Sequence, residues 1–317
     1  MELFMIVFFM FYFVCTITPI FGQALILTVL IRSKLLRDSD NSYLLVGMLI
    51  GDFLICCATL WQFAMVLLID PFTVDPFFMK GQCLLMEAPN IAGMVISQIM
   101  TLSLAIDRMN SLRNQMAYYQ KNHLKSSMYW WGAAGLLGIT TAVMPQIAND
   151  IGTVIHCTDP TWPTWFRRYW MGFSIIVSTA VLLAYLLVIV FSRKKNGISG
   201  KNEDSRANER RIVREKLITK TVMRVLAVYV LFWGLPSLVY NVTVIFNVSL
   251  GSSFGMFMML GSVLCSSGNI ILLLMREDIR AGAKSLFGCK QKGPYIKNSV
   301  SAQKGSVNTI RVIPHVD

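Results

Sequence analysis

Residues 102–115, LSLAIDRMNSLRNQ, run from an apolar stretch straight into a carboxylate and a guanidinium, Asp107 and Arg108. Charge at the rim of an apolar helix is costly, and such residues tend to serve function. Two roles suit this pair. The planar fork of arginine can be held by the carboxylate as a directional, releasable ion pair. Alternatively, both side chains snorkel to a polar boundary and only mark helix depth. Asp52, within GMLIGDFLICC, poses a different problem. An unpaired carboxylate in an apolar span is expensive, so it must find partners, meet a cation or carry a proton. Glu87, Asn90 and Met94 recur at i, i+3 and i+7 and share one helix face. Turned inward, that face floors a cavity in which Glu87 favours a cationic or hydrogen-bond-donating ligand. Turned outward, Glu87 is a solvated residue at the mouth and Met94 is plain packing.

The elements that must position these residues are apolar helices. Of 317 residues, 55% are hydrophobic and 15% charged, against about 25% charged in an ordinary soluble domain. Seven stretches, 4–31, 42–68, 81–107, 128–148, 169–192, 218–245 and 253–275, reach the length of about 20 residues that crosses a hydrocarbon core. The expected fold is an all-α membrane protein, a seven-transmembrane helix bundle with a short amphipathic helix after the seventh. The bundle and that helix take residues 1–288, and 289–317 form a polar cytoplasmic tail without apolar period. In EDIRAGAKSLF, Ile279, Ala283, Leu286 and Phe287 make one apolar stripe, which suits a helix lying on the inner leaflet. Cys289, just beyond it, is either a palmitoylation site or a plain cytosolic thiol.

A net charge of +12 would suit a polyanion such as nucleic acid, but its distribution argues against one. Of the 29 Lys and Arg, 26 fall in segments 32–41, 108–127, 193–224 and 276–317, and only Lys80, Arg167 and Arg168 lie on the other side. This is the positive-inside pattern, with the C-terminus cytoplasmic and the N-terminus extracellular, as in a multi-pass plasma-membrane protein. The first apolar run has no preceding cation and continues to Ile31, so it reads as an anchor rather than a signal peptide. Cys83 and Cys157 fall on the outer side, the compartment where disulfides persist, and are expected to pair.

An enzyme is disfavoured. His123, His156 and His315 all lie outside the spans, so a metal-dependent intramembrane hydrolase has no ligand set. The seventh span has no lysine for a retinal Schiff base of the usual kind. A transporter or ligand-gated channel of seven helices is the alternative. It would want inverted repeats, broken helices or rings of charge, and only Asp52 lies deep in the membrane.

Cys83 precedes Arg108 by 25 residues, which at about 1.5 Å per residue sets them at opposite membrane faces. With MLIGD at Asp52, tryptophan at 130 or 131, FWGLP in the sixth span and GNIILL in the seventh, residues 20–288 resemble a rhodopsin-like seven-helix G-protein-coupled receptor. Within that class LRDSDNSYLLVGMLIGDFL, KGQC, LSLAIDRM, HCTDP and MREDIRAGAKSLF are most similar to nematode serpentine chemoreceptors of the SX group. The resemblance implies a small-molecule or peptide ligand outside, a heterotrimeric G protein inside and membrane lipid around the bundle. It implies that Arg108 is latched by Asp107, with Glu215 at the foot of the sixth span as a second partner.

By the same resemblance Ser97, Ser266 and Asn269 face Asp52. That set matches a cluster able to hold a structural sodium ion; a protonated Asp52 tied to the seventh helix is the alternative. No other cofactor is expected. Pro236 leaves the Phe232 carbonyl without its usual donor and permits a bend. Trp233 on that hinge either senses pocket occupancy or simply packs. Several motifs depart from the family pattern. Met109 replaces an aromatic residue, Ile270 follows Asn269 where proline is usual, and Leu273 stands for tyrosine. Trp233 is three residues before Pro236 rather than two, which assigns the toggle position to Gly234.

Overall fold

In a computed structural model the chain is described over residues 2–32, 42–69, 78–113, 118, 123–147, 153–154, 162–198, 220–245 and 252–287. Among the described residues seven long helices follow one another: α1 (Glu2–Arg32), α2 (Ser42–Ile69), α3 (Lys80–Arg113), α4 (His123–Ile147), α5 (Thr164–Ile198), α6 (residues 220–245) and α7 (Ser252–Leu274). A short helix, α8 (Glu277–Leu286), closes the series. Spans 4–31, 42–68, 81–107 and 169–192 each fall within one helix, and 128–148, 218–245 and 253–275 match α4, α6 and α7 over 128–147, 220–245 and 253–274. Several helices overrun their apolar cores: α3 continues to Arg113 and α5 to Ile198. Two short strands, β1 (Phe78–Met79) and β2 (Thr153–Val154), pair antiparallel and tie the entrance of α3 to the segment after α4.

The distribution of polarity is inside out. Phe21, Leu136, Ile139 and Ile176 are exposed around the rim, whereas Gln23, Asp52, Asn90, Gln98 and Asn269 are buried. That arrangement suits a bundle bathed in hydrocarbon, where polar groups must find partners among the helices. Five described helices are long and apolar enough to cross a membrane. Glycines, threonines and two tryptophans keep α4 below that hydropathy. The pair α7 and α8 makes a sixth candidate, bent by 87° between them. That bend lets Ile279 and Ala283 of the expected stripe bury against the bundle, while Phe287 stays exposed. Hydroxyls on the helices donate back to carbonyls one turn earlier, as Thr140 does to Leu136 and Thr28 to Ala24.

Helix α3 is the hub, packed on α2, α4 and α5. Its contact with α2 is intimate because both sides are glycine. A Cβ on Gly51 would lie 2.6 Å from the Ser97 nitrogen, and one on Gly93 2.9 Å from the Gly51 carbonyl oxygen. This close approach brings Asp52 of α2 to the flank of α3. Trp131 of α4 adds a tie from the other side, its indole N–H donating to the Tyr43 carbonyl at 3.1 Å. Of the two tryptophans considered for that helix, Trp131 is thus the one that reaches α2.

Candidate functional site

Three polar stations lie along α3, and the 21 residues between Glu87 and Arg108 separate the outermost from the innermost by roughly 30 Å.

At the outer station Glu87 and Asn90 are both buried. Glu87 is therefore not a solvated residue at the mouth. Its carboxylate accepts a short hydrogen bond from the Trp162 indole N–H. Trp162 lies just before α5 and sits edge-on to Phe166 and Trp170, with centroids 5.3 and 5.7 Å away. One turn below Glu87, the Asn90 Oδ1 has no hydrogen-bond partner among the described residues. Nothing in the spacing of Glu87 pointed to Trp162, because the segment before α5 has no periodicity. Cys83, one turn above Glu87, is buried and disulfide-bonded. Cys157 lies outside the described residues. Cys15, Cys56, Cys57 and Cys265 are free thiols.

At the middle station Asp52 is buried and fully partnered. Ser97 Oγ donates to Oδ1 at 2.5 Å, and Asn269 Nδ2 donates to Oδ2 at 3.0 Å. The carboxylate thus ties α2 to α3 and α7. Ser266 does not join this set as expected. Its hydroxyl donates to the Ser262 carbonyl at 3.1 Å, the local bond that serine commonly makes inside an apolar helix. Beside Asp52 lies a cavity with about 20 Å³ of room for water-sized bodies, lined by Met94, Ser97, Gln98, Trp233 and Cys265 among others. That is space for about one water or one small ion. Met94 and Trp233 therefore meet at this depth, below the outer pair. Gln98 is buried with both amide ends unpartnered among the described residues, as is the Trp233 indole nitrogen.

Asp52, Ser97 and Gln98, whose side chains carry oxygen donors of the kind a small monovalent cation takes, are among the residues that line the cavity. No group of three or more His, Cys, Asp or Glu able to hold a metal occurs among the described residues.

Trp233 corrects an expectation. It stands three positions before Pro236, is 5% exposed and lines the cavity. Trp233 shares its buried face with Tyr229 and Ser237, four residues to either side, and lies within a π-helical turn over Val230–Gly234, closed by the Leu235 N–H donating to the Val230 carbonyl.

At the inner station Arg108 is 3% exposed, and its Nη2 donates to Asp107 Oδ2 at 2.9 Å. A third member closes the cluster. Tyr118, between α3 and α4, donates its hydroxyl to Asp107 at 2.9 Å and accepts from Arg108 Nη2 at 3.2 Å. Burial pushes the Tyr118 phenol above the ordinary tyrosine range, while the nearby Arg108 charge pulls the other way. The phenol therefore stays protonated and able to donate at neutral pH. Its ring packs on His123 with centroids 4.3 Å apart. The expected second partner of Arg108, Glu215, lies outside the described residues, as does Cys289.

No curated protein matches the chain. The sequence profile of the 7 transmembrane receptor (rhodopsin family) matches residues 22–271, which takes in all three stations. That is a family of receptors rather than enzymes, and its profile spans most of the chain. The inside-out helical bundle, threaded by a central helix with a charge pair at one end, and the profile that covers it agree: the chain is a multi-pass membrane protein belonging to the rhodopsin family of seven-transmembrane receptors.

Proposed function

We propose that the protein is a chemosensory G-protein-coupled receptor that binds a small extracellular ligand and promotes nucleotide exchange on a heterotrimeric G protein. The observation that carries this reading is the closed cluster of Asp107, Arg108 and Tyr118 at one end of α3, with the buried Glu87 and Asn90 at the other. A single helix thus links a site able to recognise a ligand to an ion pair able to open. The likeness of LSLAIDRM and MREDIRAGAKSLF to nematode serpentine chemoreceptors of the SX group supports the chemosensory role.

In this reading the N-terminus is extracellular, the C-terminus cytoplasmic and the membrane the plasma membrane, as the positive-inside pattern requires. Cys83 pairs with Cys157; the antiparallel register of β1 with β2, which holds Phe78 opposite Val154, supports that pairing. The receptor domain comprises residues 1–288, the tail 289–317, and Cys289 carries the lipid. Glu87, Asn90, Met94 and Trp233 face the ligand column. A ligand with a cationic or strongly donating group satisfies Glu87 and the unpartnered Asn90 Oδ1. Pro236 and Asn269 mark the helices that move, and release of Arg108 from Asp107 exposes it to the G protein. A sodium ion in the central cavity would be held by Asp52, Ser97 and Gln98.

The test is a screen of small amines and other hydrogen-bond donors on cells expressing the protein, with G-protein dissociation as readout. Arg108→Ala abolishes ligand-driven exchange while leaving surface expression intact. Unchanged exchange in that variant, or ion current without a G protein, refutes the reading.

A further inference from the structure

We infer that the outer station is a site for indole-class ligands, planar aromatic heterocycles that carry an N–H, and that Trp162 occupies it as the chain's own stand-in for one. The inference rests on the receptor reading and names the ligand class of that same station.

Glu87 of α3 is buried, and its carboxylate accepts from the Trp162 indole N–H. A buried carboxylate without a donor is costly, so whatever occupies this place must present one. The walls of the place are aromatic. Phe166 and Trp170 of α5, both buried, stand edge-to-face with the Trp162 ring at interplanar angles of 79° and 72°, an arrangement that aromatic pairs favour. These walls have anchors of their own. Tyr169 packs on Phe166 with centroids 5.9 Å apart, and its hydroxyl lies 3.2 Å from that of Thr141 on α4. The space that Trp162 fills is therefore flat, lined by rings and ended by a carboxylate.

Trp162 is placed so that it can give way. Helix α5 begins at Thr164, and the Arg167 N–H in its first turn donates to the Pro163 carbonyl at 3.0 Å. Trp162 lies before that turn, and the residue preceding a proline is kept out of helical conformation. Its side chain can swing out without opening a turn of α5. The Glu87 carboxylate then needs another donor, and the flat space between the rings needs another flat body. A compact ammonium meets the first need and leaves the space unfilled. A bare aromatic ring meets the second and leaves the carboxylate unpaired. An indole meets both. One turn below, the Asn90 Oδ1 is buried with no hydrogen-bond partner among the described residues, an acceptor that favours a further hydroxyl or amine donor on the heterocycle.

The full-length protein in detergent, grown with fluorotryptophan, tests this by fluorine NMR. Trp162 is identified as the resonance, among those of seven tryptophans, that is missing from Trp162→Phe. Indole shifts that resonance saturably in the native chain. N-methylindole, the same ring without the N–H, acts at least about tenfold more weakly, the loss expected for a missing hydrogen bond to a charged group. Butylamine, a donor without the ring, does no better than N-methylindole. Glu87→Leu, which removes the acceptor, abolishes the response to indole. Trp162→Ala binds labelled indole about ten- to thousand-fold more tightly than the native chain, because a displaced form populated at about 0.1–10% weakens the apparent affinity by that factor. No saturable shift with indole in the native chain overturns the proposal, even if Trp162→Ala binds it. So does an equal response to N-methylindole or butylamine, an unchanged response in Glu87→Leu, or no gain in affinity in Trp162→Ala. If Glu87→Leu or Trp162→Ala fails to fold, the native chain with the three compounds decides alone. None of these measurements uses a G protein, so indole that binds without driving nucleotide exchange leaves the site standing and counts against the receptor reading instead.

Discussion

At the inner mouth the Asp107 carboxylate accepts from Arg108 of its own helix and from Tyr118 beyond it. The other, Tyr118, makes the closed state depend on the connection between α3 and α4. A hydrogen bond to a charged group contributes about 1.5–3 kcal/mol. Losing it raises the ratio of open to closed by about tenfold or more. Tyr118→Phe is therefore expected to raise ligand-independent nucleotide exchange several-fold at unchanged surface expression, and a basal rate equal to the native one removes Tyr118 from the latch. The same phenol gives a pH expectation. Its raised folded-state value means that its stabilisation is complete below the ordinary tyrosine range and fades as pH rises through the folded value. Basal exchange should thus be insensitive to Tyr118 ionisation near neutral pH. Asp52 allows a reciprocal experiment. Asp52→Asn puts an amide opposite the amide of Asn269 and should cost about 1–3 kcal/mol, whereas adding Asn269→Asp restores a donor facing an acceptor. Melting curves of the two variants check this; a double variant no more stable than the single one dismisses the tie as a stabilising contact.

Helices impose a second scale. Gly51 and Gly93 set the distance between α2 and α3, and hence the reach of Ser97 to Asp52. Gly51→Ala should cost about 1–3 kcal/mol as overpacking. Gly135→Ala on α4, where a Cβ meets nothing within 4 Å, should be neutral. Thermal melting of the two in parallel distinguishes helix approach from general loss of glycine. The spans themselves were legible in the sequence because each is a run of about 20 apolar residues that has no alternative but to cross or be buried. That Asp52 must have partners was legible too, from the cost of a lone buried carboxylate, whereas Asn269 as one of them came from the resemblance. Tyr118 and Trp162 were not, since both lie in connections where no periodicity specifies a direction. Ser266 was misjudged for a different reason: sharing a helix face with Asp52 does not outweigh a carbonyl one turn away. The π-turn over Val230–Gly234 was not legible, because the residue types in FWGLP do not say which backbone hydrogen bonds form.

Taken as a whole, the molecule is a column of polar stations in an apolar sheath, and its outermost station is already filled. The Trp162 indole holds Glu87, and Trp162 is itself braced by Phe166 and Trp170. An arriving compound that seeks this carboxylate cannot simply diffuse onto it; an aromatic plug must first leave. The observed association rate should then rise with concentration and level off at the rate of plug departure, as in any scheme where a minor open form is the one that binds. Trp162→Phe, which keeps the ring packing and removes the N–H, should lift that plateau. If the ligand engages Glu87 as proposed, the receptor would ignore brief pulses of its stimulus and answer sustained ones, and the first filter on the signal would be a timer rather than a threshold.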